Sequence, residues 1–251
     1  MSSNSKQQRQ WEIVDISLKK TQLREEDVLY CEGSMKPYWR GKIHLFAFLL
    51  FPFAFAILIN EAESLTERIG LLVFTLGHML SYGISYVFHC FEWSARIEIF
   101  LQKCDHAAIF IATASSITQY ILFGVKTNVH LMLAAAWVLC IMGTTLVYLR
   151  KKETYHHAVS AMVIFWAIPD MLQVMTTYQF QLFLATWAQI GIGMVVYGSR
   201  WPKLWPEYFG YHEVMHVLTT SAAITSIILQ HSLLSTFDNS FCIFSGNKND
   251  V

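Results

Sequence analysis

Long stretches without a charged side chain constrain this sequence more than any other feature. Four stretches contain no Asp, Glu, Lys or Arg: residues 43–59, 69–91, 106–125 and 127–149. Residues 154–199 contain only Asp170, and residues 211–237 contain only Glu213. An apolar stretch of about 18 residues with few charges is typical of a transmembrane helix. The sequence therefore predicts a multi-pass membrane protein.

The charge-free stretches predict an all-α fold with seven transmembrane helices. Residues 154–199 are long enough for two helices with a break near residues 173–178. The expected spans are 43–60, 69–91, 106–125, 128–149, 155–173, 178–198 and 209–231. A soluble helical bundle is the alternative, but seven helices without charges leave no polar face for water. The period-two alternation of an outer-membrane barrel is absent from the sequence.

The basic residues predict the orientation of the helices. Of the 18 Lys and Arg residues, all but Arg68, Lys126 and Lys248 fall on the side of the N-terminus. Basic residues concentrate on the cytoplasmic side of a membrane. We therefore expect a cytoplasmic N-terminus and an outer C-terminus, in the plasma membrane or an endomembrane. The formal net charge of +0 argues against a nucleic-acid partner, which requires a basic surface.

Three parts of the chain differ in composition. Residues 1–42 are polar and lack the ordered regions of a removable signal peptide, so we expect a cytoplasmic N-terminal segment. Residues 43–234 form the predicted seven-helix domain, and residues 235–251 form a short C-terminal tail. The five cysteines include no C-x-x-C pair, and three of them lie in or next to the spans. No disulfide framework is therefore expected.

Polar side chains within the spans are the candidates for function, because such groups are costly in a membrane. Ser85 and His89 are four residues apart near the end of the second predicted span. His212 and His216 have the same spacing at the start of the seventh. A spacing of four places both members of a pair on one helix face. Asp105 opens the third predicted span, so all five residues lie near the inner side of the predicted bundle.

Three imidazoles and a carboxylate at one level favour a zinc site. Neutral imidazole and carboxylate are good zinc ligands, and three protein ligands with one water form the catalytic arrangement. We expect His89, His212 and His216 to bind Zn²⁺. Asp105 is expected as a further ligand or as the partner of a zinc-bound water, and Ser85 as a residue that orients this water or His89. Asp105 and Ser85 are therefore the predicted catalytic residues.

Alternatives to this interpretation stay open. The same side chains form ordinary hydrogen bonds between helices in membrane proteins. Rival ligands at or near the same level are His156, His157, Cys90 and Cys104. Other polar residues have simpler interpretations: His78 and His130 as packing or interface residues, Asp170 as a helix cap or the lining of an outer cavity, and Glu213 as a partner of His212 or an interfacial residue.

The residues around these positions resemble a known family. Ser85-x-x-x-His89, Asp105-His106-Ala107-Ala108-Ile109 and Phe209-Gly210-Tyr211-His212-Glu213-x-x-His216 are similar to the hemolysin III family, which belongs with the progestin and adipoQ receptors, including the adiponectin receptors. The resemblance implies a seven-helix membrane protein with a cytoplasmic N-terminus. It also implies a zinc near the cytoplasmic side, held by His89, His212 and His216 with Asp105 on a bound water. His44 matches the family's first-helix histidine loosely.

The resemblance leaves several functions open. Some members of the family are receptors, and the wider superfamily includes alkaline ceramidases, which are zinc-dependent hydrolases of lipid amides. We expect a signalling receptor with a lipid or steroid-like ligand, and hydrolysis of a lipid amide is the alternative. A third hypothesis is a zinc ion that only holds helices together. A pore-forming function is the weakest hypothesis, because no span carries a polar stripe. Residues 39–43 and 112–116 depart from the family pattern. These departures affect what the resemblance implies about the ligand cavity, and not what it implies about the metal site.

Overall fold

The computed structural model describes residues 37–125, 127–149, 163–205 and 207–235. Within these residues the regular secondary structure is helical, apart from one isolated bridge between Trp205 and Phe209. The helices in chain order are α1 Lys42–Glu61, α2 Leu65–Cys90, α3 Ala95–Gly124, α4 Val129–Leu149, α5 Val163–Val174, α6 Thr177–Ser199 and α7 Tyr211–Leu234. The predicted all-α class is confirmed for the described part of the chain.

Six of these helices are long and apolar enough to cross a membrane. The shorter α5 has 12 residues, and the predicted fifth span, 155–173, begins outside the described residues. Large apolar side chains project outward from the long helices, among them Phe53, Leu149 and Val195, which are 69–74% exposed. Such a surface suits lipid, which is as apolar as these side chains. The chain is therefore an all-α integral membrane protein.

Side-chain caps mark the starts of α2 and α6. Helix α5 ends at Val174 and α6 begins at Thr177, within the helix break that the sequence predicts at residues 173–178. Thr176 and Gln179 form a capping box in which each side chain accepts a hydrogen bond from the other's backbone N–H. The same arrangement starts α2. These caps satisfy backbone donors that a helix end leaves without a partner.

The third helix begins earlier than its charge-free stretch predicts. It starts at Ala95, whereas the predicted span starts at residue 106. The early turns carry Arg96, Glu98 and Lys103, and charged side chains at a helix end can reach the membrane surface. A charge-free stretch therefore marks the hydrocarbon-spanning part of a helix and not its end. The expectation that Asp105 opens the helix is wrong, because it lies about three turns inside.

Small residues allow α2 and α3 to pack closely. A Cβ atom built at Gly77 would overlap Ser115 and approach the carbonyl oxygen of Ile111 to 3.4 Å. Glycine at a helix crossing lets two backbones come together in a membrane. This contact keeps the end of α2 next to α3, where His89 and Asp105 meet.

The start of α1, the end of α2 and the start of α7 meet at one end of the bundle, which we call the histidine end. The backbone N–H of Tyr38 donates to the carbonyl of Glu207 at 3.0 Å, so the segments before α1 and α7 are joined. Gly41 has a φ of 80°, and a Cβ atom there would lie 2.8 Å from Cys90 Sγ. Glycine meets both demands because it has no side chain.

Asp170 lies at the opposite end of the bundle. Its Oδ2 atom accepts hydrogen bonds from the backbone N–H of Thr127 at 3.0 Å and from the Thr127 hydroxyl at 2.8 Å. The carboxylate thus holds the connection between α3 and α4 against α5. This contact differs from both sequence interpretations of Asp170, a cap of its own helix and the lining of a cavity.

Candidate metal centre

Three histidines from two helices come together at the histidine end. His89 lies in the last turn of α2, and His212 and His216 lie in the first two turns of α7. One nitrogen from each ring lies within 4.8 Å of the other two. All three side chains are buried, with exposed fractions of 1–9%. The group could hold a metal ion.

The donor set fits a metal ion of the zinc type. Zinc binds neutral imidazole readily, at nitrogen distances of about 2.0–2.1 Å, so the rings have to draw together slightly to share one ion. Nδ1 of His216 is buried and has no hydrogen-bond partner among the described residues. A buried polar atom without a partner is costly, and a metal ion is one way to remove that cost.

Asp105 extends the cluster to α3. Its Oδ2 atom lies 3.7 Å from Nε2 of His89, with side-chain exposures of 14% and 6%. This distance is long for a hydrogen bond, so the contact is electrostatic. A carboxylate therefore stands beside one of the three imidazoles, on the neighbouring helix.

Ser85 contacts a fourth histidine, in α1. Its Oγ atom lies 2.8 Å from Nδ1 of His44. The ring of His44 is buried and stacks on the ring of His216, with centroids 3.8 Å apart. The sequence predicts that Ser85 orients His89 or a bound water; in the structure Ser85 contacts His44, which in turn supports His216.

A buried ion pair lies on the other side of the cluster. Arg40 Nε pairs with the carboxylate of Glu213, and the two side chains are 9% and 0% exposed. The other carboxylate oxygen of Glu213 accepts a hydrogen bond from Gly210 N–H at 2.7 Å, at the start of α7. Glu213 is therefore a structural partner of Arg40 and of the α7 N-terminus.

Arg40 also contacts His212. Its Nη1 atom lies 3.2 Å from Nδ1 of His212. A guanidinium only donates, so Nδ1 accepts in this contact and a neutral ring carries its proton on Nε2. In His212 this proton would therefore have to leave before Nε2 could bind a metal.

The family of the chain follows from a comparison with family models. A model described as "Haemolysin-III related" matches residues 33–227, which is most of the chain and includes every residue of the cluster. The chain belongs to the haemolysin-III related family. Membership confirms the resemblance inferred from the motifs around His89, Asp105 and His212.

A cavity of about 170 Å³ adjoins the histidine cluster of this haemolysin-III related protein. The end next to the cluster is lined by Asp105, His212 and His216, and the other end is lined by Trp187 and Ser226. Ten residues separate His216 from Ser226 on α7, which corresponds to about 15 Å along the helix. The walls are mostly apolar. The cavity is therefore polar at the end next to the histidine cluster and apolar beyond it.

The other polar residues of the sequence interpretation fall at different places. His106 lines the cavity together with Asp105. Two cysteines lie away from the histidines' ring nitrogens: Cys90 Sγ donates to the Arg40 carbonyl at 3.3 Å, and Cys104 Sγ lies 3.5 Å from the Tyr148 hydroxyl. His130 is exposed at the start of α4, whereas His78 is buried and lines the cavity. His156 and His157 lie outside the described residues.

Sequence reasoning missed Arg40 as a component of the site. Arg40 lies three residues before the first charge-free stretch, where the sequence indicates only a basic residue on the inner side. Its partner Glu213 is 173 residues away in the chain, so no local spacing connects them. The signal that could have found the pair is electrostatic: a carboxylate in an apolar helix is costly to bury, and a nearby cation such as Arg40 reduces that cost.

Proposed function

We propose that the chain crosses the membrane seven times with its N-terminus in the cytoplasm. The skewed distribution of Lys and Arg supports this orientation. In α5, Val163–Val174 would be the second part of the fifth span. An antibody tag at each terminus tests the proposal: in intact cells the C-terminal tag should react and the N-terminal tag should not. Reaction of both tags from outside would contradict an odd number of spans.

The histidine cluster is proposed as a zinc centre with His89, His212 and His216 as ligands. The support is chemical: three buried imidazoles, one of them with an unpartnered nitrogen, and a carboxylate beside them. A bound zinc would supply a Lewis acid that polarises a carbonyl oxygen or activates a water. In this arrangement Asp105 would accept and hold a proton at Oδ2, and His44 and Ser85 would fix the ring of His216.

The function proposed for the protein is that of a membrane receptor for a lipid ligand. One observation carries this proposal: a mostly apolar cavity begins at the polar cluster and continues about 15 Å along α7. A lipid would place its polar head at Asp105 and the histidines and its apolar body beyond them. The walls that the ligand contacts belong to several helices, so its binding can bias their packing.

Metal analysis and lipid binding on purified protein test this proposal together. Wild type should contain about one zinc per chain, and His212→Ala with His216→Ala should remove it. A fluorescent fatty acid should bind wild type and bind the double variant more weakly. His130→Ala, an exposed histidine at the start of α4, is the matched control and should change neither result. Full zinc occupancy in the double variant would exclude the cluster as the metal site.

Hydrolysis of a lipid amide is a second candidate, favoured by the position of Asp105. The carboxylate lines the cavity beside His89 and can act as a general base toward a group at the cluster. Asp105→Asn should keep zinc and abolish release of fatty acid from ceramide. Wild type that binds zinc and lipid but releases no fatty acid from lipid amides would favour the receptor. Zinc removal that lowers only thermal stability would favour a structural ion.

A further inference from the structure

His78 places a hydrogen-bond acceptor in the apolar part of the cavity. Its Nδ1 atom lies 2.9 Å from the backbone carbonyl of Phe74. A carbonyl oxygen can only accept, so Nδ1 carries the proton and Nε2 of the neutral ring carries a lone pair. His78 lies eleven residues before His89 on α2, which places it about 16 Å from His89 along the helix.

The lone pair of His78 has only a weak partner in the protein. Ser116 Oγ lies 3.5 Å from Nε2, at the outer limit of a hydrogen bond. The single proton of the Ser116 hydroxyl is also shared with the carbonyl of Ala112 at 3.1 Å. The side chain of His78 is 92% buried, with 8% of its surface exposed. Its Nε2 atom is thus an acceptor held in an apolar space.

Trp187 adds a donor to the wall of the same cavity. Its Nε1 atom is buried and has no hydrogen-bond partner among the described residues. The ring centroids of Trp187 and Tyr120 are 6.4 Å apart. Tyr120 is four residues from Ser116 on α3, so both are on one face of that helix. His78 and Trp187 therefore line the cavity at similar depth, one on α2 and the other on α6.

This pair of groups defines the chemistry of a ligand. An indole N–H can only donate and the His78 Nε2 can only accept, whereas a hydroxyl does both. A plain hydrocarbon chain would leave the indole N–H without a partner and the His78 Nε2 atom with only its weak contact to Ser116. We propose that the cavity selects lipids that carry a hydroxyl group part-way along an otherwise apolar body. The proposal rests on the lipid-binding function proposed above and adds the chemical class of the ligand.

Competition binding with a positional series tests this inference. Octadecanoic acid and its isomers with one hydroxyl at successive carbons would displace a fluorescent fatty acid from the purified full-length protein. We expect one position, or two adjacent ones, to bind roughly threefold to tenfold more tightly than octadecanoic acid. His78→Phe should abolish this preference, so that the hydroxylated isomers displace the probe no better than octadecanoic acid. His130→Phe, the same change at an exposed site, should preserve it.

Trp187→Phe provides a second variant that keeps an aromatic ring and removes only the donor. It should reduce the ratio of the affinity for the hydroxylated isomer to the affinity for octadecanoic acid. Equal binding of all isomers and octadecanoic acid to wild type would overturn the inference and leave lipid binding intact. A preference that survives both variants would also overturn it. Failure of every fatty acid to displace the probe would contradict the proposed function as well.

Discussion

The imidazole rings of His44 and His216 stack on each other, with centroids 3.8 Å apart and planes inclined by 22°. The ring of His44 is held by Ser85, whose Oγ atom lies 2.8 Å from Nδ1 of His44. Its Nε2 atom is buried and has no hydrogen-bond partner in the part of the chain that the structure describes. Helix α1 thus contributes a fourth ring to a cluster whose other members come from α2 and α7.

Replacement of His44 should weaken zinc binding without removing a ligand. Partners that orient metal ligands typically affect metal affinity by about 10–100-fold, so we expect such a loss for His44→Ala, with about one zinc still bound at saturation. Competition with a chromogenic chelator measures the affinity. His44→Phe keeps the stacking surface and should lose less. Loss of zinc as complete as in the variant of His212 and His216 would instead make His44 a ligand.

Arg40 should weaken metal binding in the native protein. Its guanidinium lies 3.2 Å from Nδ1 of His212, favours the proton on Nε2 and adds a positive charge beside the cluster. Arg40→Gln replaces a donor-only group by an amide that can accept from Nδ1–H. We expect roughly tenfold tighter zinc binding, measured by the same competition. Lys42→Gln, which removes a neighbouring cation away from the histidines, is the control.

Glu213→Gln should have the opposite effect on the metal. The amide keeps the hydrogen bond to Gly210 at the start of α7 but no longer neutralises Arg40. A buried cation without its counter-ion is unfavourable, so both zinc affinity and thermal stability should fall. The double variant with Arg40→Gln should recover part of the loss. Independent, additive effects of the two changes would contradict the proposed coupling.

The six long helices could be predicted from the sequence because a membrane leaves few alternatives. Charges are excluded from the hydrocarbon region, so their absence outlines each helix, and Thr176 caps the helix that follows the predicted break at residues 173–178. The pairing of His212 with His216 follows from helical periodicity alone. The start of α3 was misplaced because Arg96 and Lys103 lie within the helix, near its end, where charges are tolerated.

The rest of the site depends on contacts between distant segments. Arg40 and Glu213 meet because the chain before α1 pairs with the chain before α7. No spacing rule links such positions. His78 was interpreted as a packing residue, and it does stack on Phe51 at 5.2 Å. Its second role, as part of the cavity wall, depends on where α6 lies, and a pattern within one helix does not contain that information.

Gly41→Ala should disturb the histidine end. The residue has a φ of 80°, and an added Cβ atom would lie 2.8 Å from Cys90 Sγ and 2.9 Å from His89 Cβ. Strain and overlap together should lower the free energy of unfolding by about 1–3 kcal/mol, seen as a lower melting temperature, and should reduce zinc affinity. Gly191→Ala is the matched control, because nothing lies within 4 Å of its added Cβ atom. Equal effects of the two variants would contradict this account.

The crossing of α2 and α3 can be tested by a compensating pair. An added Cβ atom at Gly77 would overlap the side chain of Ser115, lying 2.6 Å from its Cβ atom. Gly77→Ala should therefore destabilise the protein by about 1–3 kcal/mol. Ser115→Gly in the same chain should restore most of the loss, because it returns the missing volume. A double variant no more stable than Gly77→Ala would show that this overlap does not limit the packing.

Zinc should stabilise the fold through its link to α2 and α7. An ion that binds only the folded protein raises the free energy of unfolding as its concentration exceeds the dissociation constant, by about 2.7 kcal/mol at a hundredfold excess. The melting temperature of wild type should therefore rise with the logarithm of free zinc, and removal of zinc by a chelator should reverse it. Magnesium should have no such effect, because it prefers oxygen ligands and the ring nitrogens of His89, His212 and His216 dominate the cluster. The response to zinc should disappear in His212→Ala with His216→Ala. A melting temperature of wild type that does not depend on zinc, or that responds equally to magnesium, would contradict a zinc centre built from these rings.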